Sequence, residues 1–221
     1  MLSFIKKQIF IHKMIFKNFS ILRIMQILEI QNINVYGSVI DIGSKESPNN
    51  VTNYLNSKEK VIYADKHSKN SIDLKIDLEE ISELKTAKFD NVILFNVLEH
   101  IFNFKTCLNN CYSILKDNGF FYGSTPFLFR IHYSPNDYFR YTEQSILKIL
   151  TETGFSDIKI RILDGGIFVV LFSSLSTFTN KLPLLNNLLY IVCKILDFII
   201  SLFSRNVKSI FPIGYFFQGK K

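Results

Sequence analysis

From residue 39 onward, short runs rich in β-branched and aromatic residues alternate with helical patterns, and that alternation narrows the folds open to this chain. The runs are Val39–Ile42, Val61–Ala64, Ile72–Ile76, Asn91–Asn96 and Gly119–Ser124. The clearest helix between them is Phe104–Leu115, followed by the turn Lys116-Asp117-Asn118-Gly119. A parallel neighbour is reached only by a crossover long enough to hold a helix, so this order predicts βαβ units. A further helix is predicted over Glu143–Thr153, with Thr142 as N-cap and Gly154 as its stop. Ile158–Ile162 is the next strand and Tyr215–Gly219 the last, with about fifty apolar, helix-like residues between them. The fold class is α/β, a doubly wound and mostly parallel sheet.

In such sheets ligands bind where the strands end, near the point at which strand order reverses. Val39–Ile42 runs straight into Gly43, where a glycine permits a tight turn and close approach of backbone to ligand. Asp41 stands at that strand's end, able to orient the loop or meet an ammonium group. Asp65 closes the second strand, where a carboxylate can accept both hydroxyls of a ribose. Asp77 follows the third strand and can meet an adenine amino group. A dinucleotide dehydrogenase is excluded, because no GxGxxG run follows any strand.

Together with the run Phe89-Asp90-Asn91-Val92-Ile93-Leu94-Phe95-Asn96-Val97-Leu98-Glu99-His100, these features resemble the small-molecule class I S-adenosylmethionine-dependent methyltransferases. Leu115-Lys116-Asp117-Asn118-Gly119-Phe120 and Ser124-Thr125-Pro126 are similar to the fifth-strand region of the same family. The resemblance spans roughly residues 38–162. It implies a Rossmann-like sheet of seven strands with an antiparallel last strand, and S-adenosylmethionine as cofactor. It also implies that Asp41, Gly43 and Ser44 hold the methionine part, Asp65 the ribose, and Asp77 and Leu78 the adenine, with Asn96 and Val97 closing the pocket. Lys45 departs from the pattern, standing where the family has its second glycine. The alternative to an enzyme, a non-catalytic methyltransferase-like binding module, rests on that departure.

The segment after the fifth strand, Arg130 to Thr142, gathers stacking surfaces, cationic forks and a titratable imidazole. It resembles a loop of a methyltransferase subgroup associated with cell-surface polysaccharide and glycan synthesis. Arg130, Tyr133, Asp137, Tyr138 and Arg140 are the substrate-binding candidates. His132 is the first candidate base for an acceptor hydroxyl, with Asp137 to orient it, and His100 is the second. A different reading makes Asp137, Tyr138 and Arg140 a latch fixing the loop onto the following helix. The expected reaction is methylation of an oxygen on a small or lipid-linked glycan-type acceptor.

Charge is unevenly spread along the chain. Residues 1–35 carry net +4, residues 36–157 net −3 and residues 158–221 net +6, which makes up the total of +7. The acidic centre argues against nucleic acid as a partner, as does the absence of an Asn/Asp-Pro-Pro-aromatic motif after the fourth strand. The basic flanks are also the most apolar parts, which favours an anionic membrane surface. Residues 1–35 read as a basic, apolar helical segment with one or two helices, and residues 36–221 as the methyltransferase domain. That domain carries a helical insertion at about 165–208.

Residues 182–203 hold 14 Leu, Ile, Val or Phe, but Lys194 and Asp197 near the centre cost roughly 5–7 kcal/mol to insert, so spanning is not expected. Asn187, Tyr190, Lys194, Asp197, Ser201 and Ser204 recur at helical spacing as a narrow polar stripe. A helix of that pattern lies in a membrane interface, or packs on the N-terminal helix or in a homodimer. The three cysteines give neither a disulfide framework nor metal-ligand spacing. No metal is expected, and the expected compartment is the cytoplasm, at the inner face of the cell membrane.

Overall fold

A computed structural model describes residues 2–44, 50–56, 60–66, 73–80, 88–133 and 135–221. Seven strands form one sheet in the order β3-β2-β1-β4-β5-β7-β6. They are β1 (Val39–Ile42), β2 (Val61–Asp65), β3 (Leu74–Lys75), β4 (Phe89–Phe95), β5 (Leu115–Pro126), β6 (Ser156–Gly165) and β7 (Pro212–Lys220). Strands β1 to β5 pair in parallel, and β7 runs antiparallel to both β5 and β6. The order reverses between β1 and β4, which opens a crevice at the carboxyl ends of both strands.

Helices cover both faces, so the central strands need apolar residues on both sides. All four residues of β1 are buried, as are six of the seven in β4. One face is closed by α3 (Phe104–Ile114) and α4 (Glu143–Thr153), with Leu108, Cys111, Ile146 and Leu150 in its core. The other is closed by α1 (Leu2–Phe16), α2 (Ile21–Ile30), α5 (Ile167–Thr179) and α6 (Pro183–Phe203), with Ile24, Ile27, Phe172 and Tyr190 among its buried residues. A short helix, α7 (Val207–Ile210), leads into β7. Thr142 caps α4 by accepting from Ser145 N–H at 3.2 Å, and Gly154 ends that helix at φ +104°.

One segment differs from expectation. Lys116–Gly119 is not a free turn but the irregular start of β5, with Asn118 at φ +63°. Lys116 Nζ reaches Asp90 Oδ2 at 2.8 Å, and the same oxygen accepts from Ser38 N–H and Oγ. That shared carboxylate ties the entry of β1 to β4 and β5, and its three donors hold Asp90 down to about pKa 2. Of the third strand, Leu74 and Lys75 pair with β2, flanked by bonds from Asp73 N–H to Tyr63 O and Ile76 N–H to Asp65 O, and the predicted start at Ile72 lies outside the described residues.

The stripe on α6 turns inward from Asn187 to Asp197, while Ser201 stays exposed. Asn187 Oδ1 meets His12 Nδ1 of α1 at 2.7 Å, and Tyr190 packs between the rings of His12 and Phe172. Lys194 reaches Asp164 at 3.2 Å, and Asp197 accepts from the N–H groups of Phe168 and Val169. Those amides belong to the first turn of α5 and have no partner inside it. With its polar stripe committed, α6 leaves Leu184, Leu188, Ile191, Ile195, Phe198 and Leu202 exposed. Alongside it, α5 exposes Ile167, Leu171, Leu175 and Phe178, and α1 exposes Phe4, Ile5 and Ile9.

Candidate active site

A cavity of about 1000 Å³ opens over the carboxyl ends of β1, β2 and β4. Gly43, Ser44, Asp65, Asp77, Leu78, Asn96 and Val97 all line it, so seven residues chosen from strand-end positions meet in one space. Gly43 has φ +83°, and a Cβ there would lie 2.2 Å from Val97 Cγ2. A side chain is excluded at that turn both by backbone conformation and by the facing valine. Asp41 sits behind the turn at 1% exposure. Its Oδ2 accepts from Thr52 Oγ1 at 2.9 Å and Asn50 Nδ2 at 3.3 Å, while Oδ1 is buried without a hydrogen-bond partner. Burial pushes the Asp41 carboxyl up to about pKa 6 against the pull of these donors and Ser44.

Asp77 is already engaged. Lys66 pairs with one of its oxygens, and the Glu79 N–H donates to the other at 2.9 Å. Asn96 adopts φ +53° at the end of β4. It is held there by Gln26 of α2, whose amide donates to Asn96 Oδ1 at 2.7 Å and to Ser124 Oγ at 2.6 Å. Gln26 is fully buried on an otherwise apolar helix face, and that lone polar residue was the available sequence signal. The turn between α1 and α2 forms a wall of the same cavity through Lys17, Phe19 and Arg23. The departure at Lys45 lies outside the described residues.

On the acceptor side, His100, Arg130, His132 and Tyr138 line the cavity. Asp137 and Arg140 lie behind it as a latch. Arg140 pairs with both Asp137 oxygens, one at 2.7 Å, and Asp137 Oδ2 also accepts from His132 N–H at 2.9 Å. The guanidinium is the main reason that Asp137 is held down to about pKa 2. Tyr133 points into solvent at 76% exposure.

His100 and His132 stand edge to face with ring centroids 4.8 Å apart. Their Nε2 atoms lie 3.8 and 3.6 Å from Glu99 Oε1. Glu99 is fully buried, and its Oε1 lacks a hydrogen-bond partner. Sequence reasoning had placed Glu99 inside a motif but gave it no role, since adjacency to His100 does not reveal which way a side chain turns.

Residues 45–121 match the sequence model of a methyltransferase domain. No curated protein matches the chain. Among solved structures, a SAM-dependent methyltransferase from Archaeoglobus fulgidus superposes with a TM-score of 0.58 at 17% identity, over 88% of this chain and 90% of that one. Phosphoethanolamine N-methyltransferase 2 from Haemonchus contortus, in complex with S-adenosyl-L-methionine, gives 0.54 at 15% identity. That match covers 89% of this chain and 52% of the other. An S-adenosylmethionine-dependent methyltransferase from Mesorhizobium loti gives 0.53 at 13% identity, over 88% and 95%. The chain therefore has the class I methyltransferase fold, with the expected antiparallel last strand.

Proposed function

We propose that this chain transfers a methyl group from S-adenosylmethionine to an oxygen of a small or lipid-linked glycan-type acceptor. The observation that carries the reading is the cavity itself, where seven strand-end residues face two imidazoles across one space. The cofactor half fits a cationic amino-acid nucleoside: Asp41 Oδ1, buried behind the Gly43 turn without a partner, suits an ammonium group, and Ser44, Asp65 and Asp77 line the same space. Gly43, Ser44 and Asp41 would hold the methionine part, Asp65 the ribose, and Leu78 the base. When bound, the cofactor supplies a sulfonium-activated methyl group.

Methylating a hydroxyl releases one proton, and His100 and His132 are the groups placed to receive it. The Asp137 carboxylate lies 3.5 Å from His132 Nδ1, which directs the other nitrogen toward Glu99 and the cavity. Lys17, Arg23 and Arg130 line the same space, and none of them pairs with a carboxylate among the described residues. They suit an acceptor that carries negative charge, such as a phosphate-linked glycan.

The lipid-linked part of the reading rests on a second cavity of about 150 Å³ between the α1–α2 turn and helices α5 and α6. It shares Asn18, Phe19, Ser20, Phe129 and Arg130 with the first, so the two cavities adjoin on the side of the exposed apolar helices. Those helices form a broad apolar face bordered by Lys181, Arg205 and Lys208. That pairing of apolar area with basic edges supports a peripheral contact with an anionic membrane.

Turnover tests the reading. His132→Ala is expected to slow methyl transfer about 100-fold while S-adenosylhomocysteine still binds by calorimetry. Equal turnover in the variant would overturn the assignment. Flotation with anionic vesicles tests the membrane contact, and protein left entirely in the soluble fraction would remove it.

A further inference from the structure

We infer that Glu99, His100 and His132 form a divalent metal site of the zinc type at the acceptor end of the cavity. The inference rests on the methyl-transfer reading for its purpose, but its geometry stands alone. The two histidines are oriented alike. His100 Nδ1 contacts the Asn136 carbonyl oxygen, and His132 Nδ1 faces Asp137 Oδ2 at 3.5 Å. The carbonyl oxygen opposite His100 Nδ1 places the imidazole proton there and leaves its Nε2 lone pair outward, while His132 Nδ1 is buried beside Asp137 without a hydrogen-bond partner. Both Nε2 atoms then point at Glu99 Oε1, a fully buried carboxylate oxygen with no hydrogen-bond partner. Three lone pairs aimed at one spot repel each other unless a cation lies between them.

The donor set is two imidazole nitrogens and one carboxylate oxygen, the ligand set of one common class of catalytic zinc site. No two of the three donor atoms are more than 4.8 Å apart. Tetrahedral ligands at zinc distances stand roughly 3.3 Å from one another. The Glu99 edges, at 3.6 and 3.8 Å, need to close by a few tenths of an ångström, and the longest edge, within 4.8 Å, by up to about 1.5 Å. The backbone carbonyl on His100 Nδ1 is a support that metal-bound histidines use, and Asp137, 3.5 Å from His132 Nδ1, stands where a second would form.

Three protein ligands leave a fourth position, and both histidines border the open cavity. An ion held there would polarise an acceptor hydroxyl and lower its pKa, and the two imidazoles, as its ligands, would then hold the ion in place of taking the proton that the metal-free reading assigns them. Linear spacing concealed the site, because Glu99 and His100 follow β4 whereas His132 arrives on the loop after β5.

The test uses the full chain, stripped of metal by a chelator, with Zn²⁺ titrated by calorimetry and Co²⁺ followed by its visible absorption. Wild type is expected to take one equivalent, with the absorption of a low-coordinate nitrogen–oxygen site and no thiolate charge-transfer band. Glu99→Gln and His132→Ala are each expected to weaken binding about 100-fold or more. S-adenosylhomocysteine binding serves as the check on folding, and His132→Ala, at the more exposed ligand, covers the case in which Glu99→Gln fails to fold. A wild type that takes no Zn²⁺, or variants that bind it as wild type does, would overturn the site. A protein that binds Zn²⁺ but not S-adenosylhomocysteine would keep the site and remove the methyl-transfer reading.

Discussion

The side-chain amide of Gln26, on the second helix, donates to Asn96 Oδ1 at 2.7 Å and so holds the left-handed residue at the end of β4. The N-terminal helices are thereby part of the wall of the strand-end cavity rather than an appendage. Gln26→Leu leaves Asn96 and Ser124 without that partner, a loss of roughly 1–3 kcal/mol. Denaturant melts and calorimetry with S-adenosylhomocysteine should both register the change. A variant as stable and as tight-binding as wild type would remove this role.

Asp41 gives a prediction that runs against intuition. Its folded pKa, about 6, lies above the ordinary carboxylate value, so folding favours the protonated form. Any stability from that preference is present below about pH 4 and is lost as pH rises through 6. Asp41→Asn should therefore stabilise the ligand-free protein at pH 7.5 by roughly 1–3 kcal/mol, with the gain shrinking toward pH 4. The same change should cut S-adenosylhomocysteine affinity by tenfold or more, since the ammonium loses its carboxylate. Thermal melts across that pH range, with and without ligand, check both halves.

Gly43→Ala probes the turn. The positive φ costs a side chain about 1 kcal/mol, and the added methyl must displace Val97 from the pocket wall. Ligand affinity is expected to fall more than stability does. The reverse order would mean that the turn serves folding rather than binding.

The Asp137–Arg140 latch predicts a loss that differs in kind. Asp137 is held down to about pKa 2, so its contribution is present above the ordinary carboxylate value and disappears as pH falls toward 2. Asp137→Asn should flatten that acid limb of stability and slow turnover by misplacing His132. Arg140→Lys should do the same in part, because a lysine cannot reproduce a two-pronged pairing. Acid unfolding curves and steady-state rates separate the two effects.

Much of the fold was legible because its signals are local. Thr142 and Gly154 bracket α4 through their own backbone needs, and Val39–Ile42 reads as a central strand because both its faces are apolar. The strand-end positions were legible too, since the sheet topology sends Gly43, Asp65 and Asn96 to one crevice. What escaped was set by direction and distance. The α6 stripe showed in the spacing, but not that Asp197 would cap α5 and turn the stripe inward. The convergence on Glu99 depends on two rings held from behind by Asn136 and Asp137. Gln26 and Asn96 are separated by most of the fold's first half, and no periodicity links them.

The pairing of Gly165 with Pro212, and the bond from Gly166 N–H to Phe211 O at 2.9 Å, brings the two ends of the α5–α7 excursion together. Everything between those residues hangs from the sheet as a closed loop at a hairpin position. Yet the excursion is no loose loop, because Phe172 and Tyr190 fill one face of the sheet and Lys194 pairs with Asp164 of β6. The strands that carry the cavity therefore depend on the same helices that expose the apolar surface.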